Sequence, residues 1–215
     1  MSDGRSALRI AVWALLALAV PVLALLAWKE SARRAVPPPP VLGVVPDFAF
    51  VERDGGTVRR ADLAGRPWVA DFIFTRCVLS CPRLTAQMKQ FRTRLPESVR
   101  SVSISVDPEF DTPEVLLEYA GRYQIYGRDW LFLTGRRDDV LSLIRDGFKV
   151  SASLPEPGQI VDPREPILHS TRFVLVDGAN RIRGYYDGFD EEALAKLLGD
   201  LSLVLDEKVP AGERR

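Results

Sequence analysis

Residues 71–88, DFIFTRCVLSCPRLTAQM, constrain this chain more than any other stretch. They hold both of its cysteines, Cys77 and Cys81, with three residues between them. The apolar run 68–74 leads in, and Leu84, Met88, Phe91 and Leu95 follow at helical spacing. Pro82 suits the first helical position, where its missing N–H leaves no bond unmade. The pair is therefore expected at a strand-to-helix turn, on the positive end of a helix macrodipole. That place favours thiolate over thiol, and thiolate is the form that binds metal or attacks disulfides.

Side chains at i and i+4 on the first helical turn project to the same side. Two sulfurs so placed can close a disulfide or grip one soft metal ion from two directions. The competing reading is a pair of unrelated core cysteines, since a buried Cys behaves as a small hydrophobe. With only two Cys in 215 residues, their meeting at one strand–helix junction argues against coincidence. Two are also too few for a disulfide framework, so they speak of chemistry rather than stapling. Lys and Arg number 29 and Asp and Glu 29, which gives no electrostatic case for nucleic acid. No Ser/His/Asp set, phosphate loop or nucleotide fingerprint supports a turnover enzyme.

Residues 10–28 carry no charge and consist almost wholly of Ala, Val, Leu, Ile and Trp. At about 1.5 Å per residue they approach the roughly 30 Å hydrocarbon core of a bilayer. A transmembrane anchor is expected there, with residues 1–9 as a short tail before it. The rival is a cleaved signal peptide, for which the apolar run is long and lacks a small-x-small site directly after it. Arg5 and Arg9 lie before the span and Lys29, Arg33 and Arg34 after it, so charge does not orient it. Within 29–43, four consecutive prolines, 37–40, read as a stiff spacer.

A globular head is expected over 44–207, with a flexible tail at 208–215. Residues 45–60 read as a hairpin turning at Asp54, Gly55 and Gly56, and 68–74 as a central strand. Residues 99–106 alternate Val102, Ile104 and Val106 with Ser101, Ser103 and Ser105, the mark of a strand. Thr112 followed by Pro113 and Glu114 signals a helix start. A short strand at 130–134 and a helix at 138–148 come next. The proline-rich loop 149–166 leads to a strand at 168–176, whose hairpin partner is 181–186. Asp190 caps a last helix through about 205. Strands alternating with helices, closed by a hairpin and a helix, argue for an α/β sandwich. A strand, a cysteine pair and a helix within that frame give it a thioredoxin-like layout, a central mixed sheet with flanking helices, preceded by one transmembrane helix.

His169 is the only histidine. By default, a lone His on a strand is a core or edge residue with a satisfied hydrogen bond. Its place after a long loop makes it a candidate third ligand to the cysteines. Two thiolates and one imidazole suit a soft or borderline metal; structural zinc wants four closed ligands, and three suit copper better. Asp107, Glu109 and Asp111 form an acidic loop, read either as turn and capping chemistry or as a docking surface. Asp71, in an apolar strand, is read either as a pKa-shifted group beside the cysteines or, the reading preferred, as a residue at a solvent edge or paired with Lys or Arg, outside the site. Trp68 and Phe72 are expected in the core.

Three ordered segments resemble the Sco/SenC copper-binding family. They are DFIFTRCVLSCPRLTAQM with its CxxxCP signature, the acidic ISVDPEFDTPEVLLEYA, and LHSTRFVLVDGANRIRGYYDG with the histidine. The resemblance implies Cu(I) or Cu(II) bound by Cys77, Cys81 and His169. It implies a copper-acceptor partner, the CuA-bearing subunit of cytochrome c oxidase, and a single-pass protein of the inner membrane with its head in the periplasm if bacterial. The chain departs from the common pattern at Val78 and Leu79, where Pro and Asp are frequent, at Leu168, where Asp is frequent, and at Phe110, where a basic residue is common. Two main functions follow: a membrane-tethered copper metallochaperone, or a thiol–disulfide oxidoreductase that reduces a partner's metal-binding cysteines. A redox or copper sensor is the weakest third, as the chain offers no extra sensor domain.

Overall fold

The computed structural model describes residues 3–34, 36–150, 152–153 and 168–207. The chain divides into two units, Met1–Pro38 and Pro39–Arg215. The first holds one helix, α1 (Asp3–Arg34), longer at both ends than its uncharged run because the flanks are rich in helix formers. Its segment Val12–Lys29 has a mean hydropathy of 2.1 over 18 residues, none of them buried. By length and composition this segment can cross a bilayer.

The second unit is built on an eight-stranded mixed sheet. In chain order its strands are β1 (Gly43–Val44), β2 (Ala49–Glu52), β3 (Thr57–Arg59), β4 (Trp68–Ile73), β5 (Arg100–Ser105), β6 (Trp130–Thr134), then β9 (Arg172–Val176) and β10 (Arg181–Asp187). The spatial order is β1-β10-β9-β4-β5-β6-β2-β3. Strands β4, β5 and β6 run parallel, and β9 and β2 flank them antiparallel. The β2–β3 hairpin turns where expected, with Gly55 at a φ of +85° that a side chain would strain.

Every residue of β4 is buried, as a central parallel strand requires. Trp68 and Phe72 face one layer, where Phe148 meets both rings edge-on. On the opposite face Val69, Asp71 and Ile73 pair with Ser101, Ser103 and Ser105 of β5. These serines are buried, so β5 does not expose its polar side. Helices α2 (Ser80–Arg92) and α3 (Pro113–Arg122) cover that face. The hydroxyls are matched: Arg92 donates to Ser101, Trp130 Nε1 to Ser103, and Ser105 donates to Asp111. A polar layer thus lies under α2, its serine hydroxyls matched as burial demands.

Thr112 caps α3 as read from the sequence, its Oγ1 accepting the N–H of Val115, and Asp190 caps the last helix, α5 (Glu191–Asp206). Two elements differ from expectation. The helix expected at 138–148 is α4 (Arg137–Ser142), running on as a π-helical turn, Leu143–Gly147. The strand expected at 168–176 is broken: β8 (Leu168–His169) pairs with β7 (Ala152–Ser153) in a sheet of their own, and β9 resumes at Arg172. Most of the expected loop, residues 151 and 154–167, and the tail 208–215 lie outside the described residues. Buried Arg183 on β10 ties the start of this unit down, donating to the Pro39 carbonyl and pairing with Asp177 and Glu207.

Candidate metal centre

β4 ends at Ile73, and a loop carries the chain to Ser80, where α2 begins. Pro82 is therefore the third helical residue rather than the first. Its missing N–H still falls among the helix's unbonded leading donors. Cys81 is on the helix, while Cys77 stays in the loop, both buried and both thiols. What brings them together is backbone chemistry. Leu79 occupies the N-cap position and offers no side-chain oxygen, so the Cys81 N–H donates instead to Cys77 Sγ at 3.3 Å. The Phe74 N–H donates to Cys81 Sγ at 3.4 Å, and Ser80 Oγ lies 3.6 Å from Cys77 Sγ. Each sulfur accepts a backbone N–H, a donor that favours negative charge on the atom receiving it.

The two sulfurs are not equivalent. Burial pushes the Cys81 thiol far above its ordinary value, and the neighbouring Cys77 and Asp71 add to the rise. Asp71 is thus fully buried beside Cys81, not at a solvent edge. Its signal in the sequence was a lone carboxylate inside an otherwise apolar strand.

The acidic loop between β5 and α3 proves to be a brace for the residues that precede Cys77. Asp111 is wholly buried; one oxygen accepts the Thr75 hydroxyl at 2.5 Å, the other the Ser105 hydroxyl at 2.6 Å, and the Thr75 N–H lies 3.2–3.3 Å from both. Burial raises the Asp111 carboxyl above its ordinary value, while these donors pull the other way. Asp107, also buried, takes Nε and Nη2 of Arg76 at 2.9 and 2.5 Å. Turn bonds from the N–H groups of Phe110 and Asp111 to the Asp107 carbonyl shape the loop itself. Turn chemistry and a structural hold coexist there, and only Glu109 of the three acids is exposed. Thr75 and the bracing role of Asp111 carry no spacing signal and were not singled out from the sequence. Below Cys81, Tyr119 Oη lies 2.7 Å from Thr85 Oγ1 and 3.5 Å from the Cys81 carbonyl oxygen.

The structure brings Cys77 and Cys81 to one turn. It sets the backbone of His169 opposite Ala152 in the β7–β8 pair, and the His169 side chain lies outside the described residues. Among the described residues, no three His, Cys, Asp or Glu side chains converge as a metal cage. Two sulfurs at one turn are a donor set for a soft metal and equally for dithiol exchange.

Comparison with known proteins places this architecture. The family model described as SCO1/SenC matches residues 39–201. A SCO1 protein homolog of Bacillus subtilis is 32% identical over 161 residues, 73% of this chain and 80% of that protein. The solved structure of BsSco, described as a member of the Sco family of cytochrome c oxidase assembly proteins with a disulfide switch, superposes with a TM-score of 0.68. It is 29% identical and covers 80% of this chain and all of its own. Yeast Sco1, solved with copper bound, shares the fold at 23% identity and a TM-score of 0.61, over 80% of this chain and 93% of its own. With the thioredoxin-like head, the paired cysteines and these matches together, the chain belongs to the SCO1/SenC family.

Proposed function

We propose that this protein is a membrane-anchored copper carrier that binds one copper ion through Cys77, Cys81 and His169. Its copper goes to a copper-acceptor protein, the CuA-bearing subunit of cytochrome c oxidase. The observation that carries this reading is the mutual placement of the two sulfurs: Cys81 N–H on Cys77 Sγ, Phe74 N–H on Cys81 Sγ. Such a pair is held ready before the metal arrives, which lowers the ordering cost of binding. Thiolates select Cu(I), and one imidazole completes a three-ligand set that leaves room for ligand exchange. The oxidase-assembly role described for BsSco supports the choice of partner. An anchor at Val12–Lys29, with the head on the periplasmic side in a bacterium, would raise the effective concentration near a membrane-embedded acceptor.

The disulfide switch of BsSco favours a second activity at the same atoms. In thiol–disulfide exchange, the Cys77 thiolate attacks a partner disulfide and one partner sulfur leaves as thiolate. Cys81 then loses its proton and attacks Cys77 sulfur, releasing the second partner thiol. The partner gains two electrons, and Cys77–Cys81 becomes the disulfide.

An anaerobic Cu(I) competition titration of the full chain in detergent micelles tests the first reading, beside Cys77→Ser and His169→Ala. One tight equivalent, weakened strongly by either substitution, is expected. Weak binding indifferent to His169→Ala would leave the exchange reaction as the function.

A further inference from the structure

We infer that Val78, Leu79, Phe110 and Phe189 form a docking collar around the cysteine turn for a protein whose apolar surface is edged with carboxylates. The inference rests on the proposal that this turn is a transfer centre. All four side chains are exposed, Val78 at 62%, Phe110 at 45%, Leu79 at 38% and Phe189 at 37%, whereas most of the head's aromatic rings are buried. They surround the turn by construction. Val78 and Leu79 lie between the cysteines. Phe110 sits under the guanidinium of Arg76, the residue before Cys77, at 4.6 Å. Phe189 sits under that of Arg83, two residues past Cys81, at 4.8 Å.

Clustered exposed apolar groups mark contact surfaces. The occupant follows from the chemistry beneath and beside them. Cys77 and Cys81 are almost fully covered, so a copper ion or a disulfide bond changes hands only when a partner's own donors press onto this turn and displace water. A lipid surface supplies no such donors. The charge at the rim selects the partner further. Arg83 has no ion pair among the described residues, and a guanidinium stacked on a ring keeps its N–H edge for a carboxylate. Arg76 is half-exposed beside its bond to Asp107. Apolar contact at the centre with cations at the edge is the usual anatomy of a transient interface.

The test compares the copper-loaded full chain with the Val78→Ala/Leu79→Ala double variant, which brings no side-chain oxygen to the N-cap position, and with Arg83→Glu. The recipients are the soluble CuA-type domain of an oxidase subunit with its thiols reduced and, separately, bicinchoninate as a small Cu(I) chelator. Transfer to the protein domain is expected to slow at least about tenfold in the double variant and about fivefold, with loss of salt dependence, in Arg83→Glu. Cu(I) affinity and release to bicinchoninate are expected to stay at parent values. Unchanged transfer to the domain overturns the inference, as does release to bicinchoninate slowed in parallel, which would place the effect in the centre itself. A defect present in anionic nanodiscs and absent in detergent micelles would assign the collar to lipid. Loss of parent self-association with normal transfer would assign it to a second copy. If the parent binds no Cu(I), the metal reading fails by itself, and the collar is read in the reduction of the oxidised domain by the same variants, with the same fold-changes expected.

Discussion

The proposed ligands lie on two arms of the chain, and the two are held very differently. The cysteine arm runs from the buried central strand β4 into α2, and it is braced from the side by Asp107 and Asp111 on a third element. The histidine arm, as described, is β8, two residues long and paired only with the two residues of β7. One is part of the core; the other is a two-residue ladder outside the main sheet. Short ladders with few hydrogen bonds open at lower free energy than core strands. With the proposed ligand set, such a centre would keep its sulfurs in place and let its third ligand come and go, which would suit an ion both gripped and released.

That contrast can be broken by substitution. His169→Ala is expected to have the largest effect on metal: even outer groups around a ligand cost about 10–100-fold, so loss of a ligand should exceed about 100-fold in Cu(I) affinity. Thiol titration of the same variant should match the parent. A parent-like copper affinity would remove the histidine arm from the centre. Asp111→Ala is expected to do the most to stability. It leaves the half-buried Thr75 N–H and hydroxyl and the buried Ser105 hydroxyl without their acceptor, at a cost of about 2 kcal/mol in denaturant unfolding. A loss below about 1 kcal/mol would mean the brace is slack.

Ala152→Pro strikes the other arm, since proline withdraws a strand's N–H donor. Copper affinity should fall about tenfold, while the melting temperature moves much less than in Asp111→Ala. Equal melting shifts in the two variants would make the arms one cooperative unit. A smaller signature separates the sulfurs: iodoacetamide should label Cys77 well before Cys81, whose thiol burial holds protonated. Mass spectrometry of peptides reads the order directly, and the reverse order contradicts the assignment of Cys77 as the attacking sulfur.

The smallest expected effect is on pH dependence. Burial raises the Asp111 carboxyl in the folded state above its ordinary value of 3.8. In the window from 3.8 up to that raised value, the folded protein binds the extra proton, so stability falls as pH rises through it. Asp111→Asn should flatten this slope. An unchanged slope would assign it to other carboxylates.

The cysteine arm was legible because its signals are local: an apolar run, two Cys, a proline and a helical repeat within one short stretch. Thr112 and Asp190 were legible as caps for the same reason, since a cap is defined by the three residues that follow it. The break between β8 and β9 was not, because LHSTRFVLV alternates well enough to pass for one strand. Only the competing partner, Ala152–Ser153, reveals where it divides. Asp71 misled in the same manner: whether a polar group on a strand meets water depends on what packs over it.

The sequence alone determined that two thiols meet at one strand–helix turn, which narrows their chemistry to soft-metal binding or dithiol exchange. It also determined the order of elements and the apolar N-terminal helix, which rest on periodicities within a single segment. Tertiary structure decided how the turn is held. Asp111 reaches Thr75 only because β5 lies beside β4, so that the ends of two parallel strands bring their loops together. Burial of the serine face, the raised Cys81 thiol and the placing of Phe110 and Phe189 against Arg76 and Arg83 depend likewise on contacts between distant segments. Such contacts carry no period along the chain, so only the folded packing fixes them.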